Sequence, residues 1–117
     1  MDLKLNGKRA LVTGSSSGLG EAIAARLAAE GAKVVVHGRN RERAEGVAQK
    51  IRDAGGEASV AIGDLASDEA AQGVVDQALA AYDGLDIVIN NAGGFEAGDW
   101  ESATTERWAE VYDQNVI

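Results

Sequence analysis

Four short apolar runs, separated by stretches with helical spacing, constrain this chain more than any other feature. Residues 9–13, 34–36, 59–62 and 87–89 are apolar almost without interruption. Strict alternation would mark a sheet with one wet face; continuous apolarity marks strands covered on both faces, as in a parallel sheet. Between the runs, Leu19, Ile23 and Leu27 recur at i, i+4 and i+8, which predicts a helix with that stripe buried. Ala44, Val47, Ala48 and Ile51 form a second stripe, and Ala71, Val74, Val75, Ala78, Leu79 and Tyr82 a third. Gly31, Gly55-Gly56 and Gly84 stand where helices should stop; Asn40 and Ser67 stand where two should start. A last helical pattern from Thr104 places Trp108, Val111, Tyr112 and Asn115 on one face. Parallel strands joined by helices cross over right-handedly, so the expected fold is a doubly wound α/β sheet of the Rossmann type. About four strands are expected, in the order 3-2-1-4, as an incomplete sheet.

The stretch richest in chemistry is Thr13-Gly14-Ser15-Ser16-Ser17-Gly18-Leu19-Gly20, which leaves the first strand and opens the first helix. Unpaired N–H groups and the positive end of a helix dipole favour an anion there. Glycines let the backbone approach a pyrophosphate, and the serines add hydroxyl donors. The loop has no lysine, and Glu21 follows Gly20, so a triphosphate-binding P-loop is excluded. The spacing G-x-x-x-G-x-G also departs from the general dinucleotide pattern G-x-G-x-x-G, and a glycine-rich turn without a ligand stays open on these residues alone.

Composition narrows the classes further. There are 117 residues, no cysteine and one histidine, so disulfides and a multi-histidine metal site are excluded. Fifteen glycines without a single proline suit tight turns on a regular scaffold rather than a linker. Net charge is −8, with +3 on residues 1–59 and −11 on residues 60–117. A chain this acidic is not expected to bind nucleic acid through a basic face. No apolar run reaches the roughly 20 residues of a membrane span, and the first residues lack a signal pattern, so the expected location is cytoplasmic.

Taken together, these motifs resemble the N-terminal, cofactor-binding half of the short-chain dehydrogenase/reductase family, whose loop reads T-G-x-x-x-G-x-G. Asp64-Leu65 after the third strand, Asn90-Asn91-Ala92-Gly93 after the fourth, and Asn115 on the next helix follow in the family's order. The resemblance implies a nicotinamide dinucleotide held by Gly14, Ser16, Ser17, Gly18, Leu19 and Gly20. Asp64 and Leu65 would lie at the adenine, and Asn91, Ala92 and Gly93 by the ribose, with Asn90 structural. Asn115 would be the catalytic asparagine that organises a proton-relay water. Residues 1–117 are then the dinucleotide-binding portion of one domain, ending before the family's catalytic serine and Tyr-x-x-x-Lys pair. Tyr82 and Tyr112 have no lysine four residues on, so the chain alone is not expected to turn over substrate.

NAD-binding folds place a carboxylate about 20 residues after the loop. Here the region reads Val36-His37-Gly38-Arg39-Asn40-Arg41-Glu42-Arg43, with Gly38 at the expected acidic position. Arginine matches a phosphate, so Arg39 favours the 2′-phosphate of NADP(H) over NAD(H). Ser17, where many NADP-preferring members carry a basic residue, points the other way. His37 reads as a packing residue at the end of a strand. The implied activity is hydride exchange with a small carbonyl or alcohol substrate. A complete chain is expected to be a homo-oligomer, and this one to pair or aggregate along the edge at residues 86–90. The alternatives are a non-catalytic dinucleotide-binding module and a truncated chain acting through a partner.

Overall fold

The computed structural model describes residues 5–91. Elements follow the expected order: β1 (Arg9–Val12), α1 (Gly18–Ala29), β2 (Lys33–Gly38), α2 (Arg41–Asp53), β3 (Glu57–Ile62), α3 (Asp68–Ala81) and β4 (Ile87–Ile89). All pairings are parallel and the strand order is β3-β2-β1-β4, as the sequence predicts. The helix expected from Thr104 lies outside the described residues, as do Ala92, Gly93 and Asn115. Among the described residues, no helix is long and apolar enough to cross a membrane.

Strand residues of alternate parity feed two cores. Leu11, Val35, Ala61 and Val88 pack against Ala71, Val74, Val75 and Ala78 of α3. Val12, Val34, Val36 and Ala58 pack against Ala24 and Ala28 of α1 and Ala44, Val47, Ala48 and Ile51 of α2. Continuous apolarity in the strands follows from this, because both faces are covered. The chain runs outward through β1, β2 and β3, then returns to place β4 on the far side of β1. The connections reverse between β1 and β4, and the loop leaving β1 opens at that switch point, where such sheets bind ligands.

α1 departs from expectation. Its buried residues are Gly20, Ala24 and Ala28, while Leu19 is 70% exposed and Ile23 and Leu27 are only half-buried. The inward face is thus one residue round from the Leu-Ile-Leu stripe. The reason is distance: the helix start lies so close to the loop that only small residues fit beneath it. α3 also ends differently, with Asp83 in the left-handed region (φ 63°) just before Gly84.

Two side-chain devices hold the borders of the sheet. Gln77 of α3 accepts from the Ile62 N–H and donates to the Ile62 carbonyl, both at 2.9 Å, on the outer side of β3. At the other end of the strands, Asp86 accepts from the backbone N–H and guanidinium of Arg9 at 2.9–3.1 Å, joining the starts of β1 and β4. The Arg9 guanidinium holds the Asp86 carboxyl below its usual 3.8.

Candidate functional site

The loop between β1 and α1 is built in two halves. Thr13 anchors the first: its N–H donates to the Ile89 carbonyl at 2.9 Å, and its hydroxyl accepts from the Asn91 N–H at 2.8 Å. That hydroxyl also lies 3.2 Å from Asn90 Oδ1, so Asn90 ties loop to strand, the structural role expected of it. Ser15 is fully buried; its hydroxyl donates to the Val12 carbonyl and accepts from the His37 N–H, at 2.7 and 2.8 Å. The Ser15 N–H in turn donates to the His37 carbonyl at 2.8 Å. The Gly14 N–H donates to His37 Nδ1 at 2.8 Å, while His37 Nε2 lies 2.9 Å from the Gly63 carbonyl. A carbonyl only accepts, so Nε2 carries the proton and Nδ1 is bare. Burial is the main influence that pushes the His37 pKa below its usual 6.5.

The second half is open. Ser17 precedes α1 in extended conformation, yet its side chain makes no capping hydrogen bond. The first N–H groups of a helix have no partner within it, so Gly18, Leu19 and Gly20 present donors at the positive end of the dipole. Ser17, Gly18 and Leu19 are all exposed. Gly20 lies beneath them, buried; a Cβ there would run into the Gly14 carbonyl oxygen and approach Asn91 Nδ2 to 2.6 Å. Asn91 therefore sits under the loop, half-buried, with its amide at the Gly14–Gly20 junction.

The other expected residues gather at the same carboxyl edge of the sheet. Gly38 ends β2, and a Cβ on it would lie 2.6 Å from Ser16 Oγ and 2.8 Å from Ser16 Cβ. Ser16 thus fills the space above Gly38, and a carboxylate side chain would displace it. Arg39 follows directly, exposed, and among the described residues neither it nor Arg41 nor Arg43 joins an ion pair. Asp64 is exposed just past β3, its Oδ1 accepting from the Ala66 N–H at 2.9 Å. Leu65 differs from expectation: its side chain is 6% exposed and packs in the α3 core, so it offers a ligand backbone only. Among the described residues no cluster of potential ligands could hold a metal.

Ser15 was not singled out in the sequence, and His37, read there as a packing residue, is buried and also hydrogen-bonded to the loop. The available signal was a polar residue near the end of a strand, directly after three valines. A parallel, doubly wound sheet with an uncapped glycine loop over its switch point defines a Rossmann-type nucleotide-binding fold. Residues 8–117 match the short chain dehydrogenase family, and the chain belongs to it. An uncharacterised oxidoreductase of Methylorubrum extorquens is 39% identical over 97% of this chain and 46% of its own length. A short chain dehydrogenase of Burkholderia cenocepacia, solved with NADP, is 40% identical with a TM-score of 0.72, covering 94% of this chain and 49% of that one. A 7α-hydroxysteroid dehydrogenase solved with NADH and a 7-oxo bile acid is 30% identical with a TM-score of 0.78, covering 96% and 48%. The chain therefore spans about half the length of the relatives it matches.

Proposed function

We propose that residues 1–117 form the cofactor-binding half of an oxidoreductase that exchanges hydride between NADP(H) and a small carbonyl or alcohol. The observation that carries the choice of cofactor is the contact between Ser16 and Gly38, with Arg39 next in the chain. A carboxylate side chain at residue 38, such as would bind a ribose 2′-OH, would have to displace Ser16, and an arginine without a carboxylate partner among the described residues is suited to a 2′-phosphate. The donor set fits the rest of a dinucleotide. Free N–H groups at the start of α1 and the Ser16 and Ser17 hydroxyls suit a pyrophosphate. Asp64 can accept from an adenine amino group, and Asn91, past the end of β4, has its amide at the Gly14–Gly20 junction.

The nicotinamide ring, when bound, supplies the hydride or receives it. The work of this chain is to hold the dinucleotide at the switch point with its charge matched by donors that need little reorganisation. Asn115 is proposed as the residue that orients a water on the proton path, and proton exchange itself requires a side chain of suitable pKa beside the substrate. The solved relatives include both NADP and NADH complexes, so the test is direct. Titration of the full-length protein with NADP+ and NAD+ should show NADP+ bound at least about tenfold more tightly. Arg39→Ala should remove most of that difference by weakening NADP+ alone. Equal affinities in the parent protein would overturn the assignment of Arg39.

A further inference from the structure

We propose that His37 is a positioning residue for the dinucleotide loop, its neutral ring fixing Gly14 and Ser15 so that Ser16–Gly20 are left to the ligand. This rests on the reading of that loop as a cofactor site. His37 lies 23 residues from Gly14 and 26 from Gly63, yet its ring bridges the two: Gly14 N–H to Nδ1 at 2.8 Å, Nε2–H to the Gly63 carbonyl at 2.9 Å. Its own N–H and carbonyl meet the Ser15 hydroxyl and N–H, each at 2.8 Å. Four hydrogen bonds thus converge on one residue that is 3% exposed.

Their effect is to divide the loop. The N–H groups of Gly14 and Ser15 point to His37 and are not available to a phosphate. Those of the first helical turn remain, at a height set by the bridge. The ring also ties the loop to the exit of β3, so Asp64, next to Gly63, moves with the glycine loop rather than independently. An ordinary apolar residue at this place would fill the volume but leave a half-buried donor and a half-buried acceptor unmatched. Three valines precede His37 on β2, and a fourth would suit the strand better if packing were its whole task.

The arrangement tolerates only one protonation state. A proton on Nδ1 would face the Gly14 N–H, donor against donor. Among the described residues, Asp64 is the charged group whose field reaches the ring, and it favours protonation; Arg39, Asp68 and Glu69 are exposed. The loop from Thr13 to Gly20 carries no charge. On β3, whose Ala61 is the register partner of His37, the charged residue is Glu57, at the opposite end of the strand.

The test uses the full-length protein with NADP+ as the probe. His37→Phe keeps a ring and removes both hydrogen-bonding atoms. His37→Gln restores one acceptor and one donor. Calorimetric titration should show His37→Phe weakening NADP+ binding by about tenfold or more, and His37→Gln recovering to within about threefold of the parent. Circular dichroism establishes that each variant is folded. A purely structural histidine would give no such recovery in affinity between two variants that are equally folded. In addition, as the pH falls through the lowered value of His37, beneath 6.5, NADP+ affinity of the parent should drop more steeply than that of His37→Gln, which has nothing to titrate there.

Folded His37→Phe that binds as the parent does, or His37→Gln no better than His37→Phe, would overturn the proposal. So would identical pH profiles in parent and His37→Gln. Should neither variant fold, long-range 1H–15N NMR of the parent decides: a ring protonated on Nδ1, or a cation at neutral pH, refutes it, while the Nε2–H tautomer sharpening on NADP+ addition supports it. Failure of the parent to bind either dinucleotide would instead overturn the cofactor reading, and this inference with it.

Discussion

Asn40 and Ser67 close the first turns of α2 and α3 with their own side chains, accepting from the N–H groups of Arg43 and Ala70 at 3.1 and 3.2 Å. Ser17 occupies the same position before α1 with a side chain of the same kind and makes no such bond. α2 and α3 begin as scaffold helices do, each with one first-turn donor taken by its own N-cap side chain. α1 begins with its donors unclaimed, over a buried glycine that no other residue type can replace. The difference teaches where the fold keeps its binding capacity: an unsatisfied helix start is costly in itself, and it persists where a ligand completes it.

The comparison breaks most visibly at Gly20. Gly20→Val drives a branched side chain into the Gly14 carbonyl and the Asn91 amide. It should abolish dinucleotide binding in calorimetric titration and lower stability by about 1–3 kcal/mol in urea unfolding. Less severe is the exchange of caps. Ser67→Ala should cost about 1 kcal/mol of stability and leave cofactor affinity unchanged. Ser17→Ala should do the reverse, with stability held within about 0.5 kcal/mol and affinity reduced about tenfold. Matching losses of stability in the two variants would show that Ser17 is a cap after all.

Glycine in α2 supplies a control of opposite sign. A Cβ on Gly46 meets nothing within 4 Å, so Gly46→Ala should raise the unfolding free energy by about 0.5–1 kcal/mol with no effect on binding. Acid gives the smallest and most graded contrast, between the two ends of the strands. His37, at the site end, has its pKa lowered on folding, so the unfolded chain takes up the proton first. Stability there is complete above about pH 6.5 and declines below it. Asp86, at the far end, is also lowered, so its contribution is present above 3.8 and is lost as the pH falls through its folded value. Urea midpoints measured across the acid range should fall in two stages; His37→Gln should remove the upper stage, and Asp86→Asn the lower, worth about 0.5 kcal/mol.

Much of this was legible in the sequence because covering a strand on both faces forces a pattern that any reader can find. The valines of β2 show it, and so do Asn40 and Ser67, whose capping depends only on residues three positions away. The misread stripe on α1 has a different cause. Leu19, Ile23 and Leu27 carry the stronger hydrophobic signal, but closeness to the loop selects Gly20, Ala24 and Ala28, and closeness is not written in periodicity. The burial of the Leu65 side chain was illegible for a similar reason, since it depends on how α3 lies over the sheet. His37 illustrates the limit most clearly: its partners come from the ends of two other strands, and no local spacing joins them.

The amide of Gln77 has a consequence of its own. Lying along Ile62, it copies the donor and acceptor that a neighbouring strand would present. An intruding peptide would have to dislodge a helix side chain before it could template on that border of β3. The Ile62 amide, on the outermost described strand, should therefore exchange its hydrogen slowly, and the molecule resists fibrillar stacking from that side without needing a charge or a proline there.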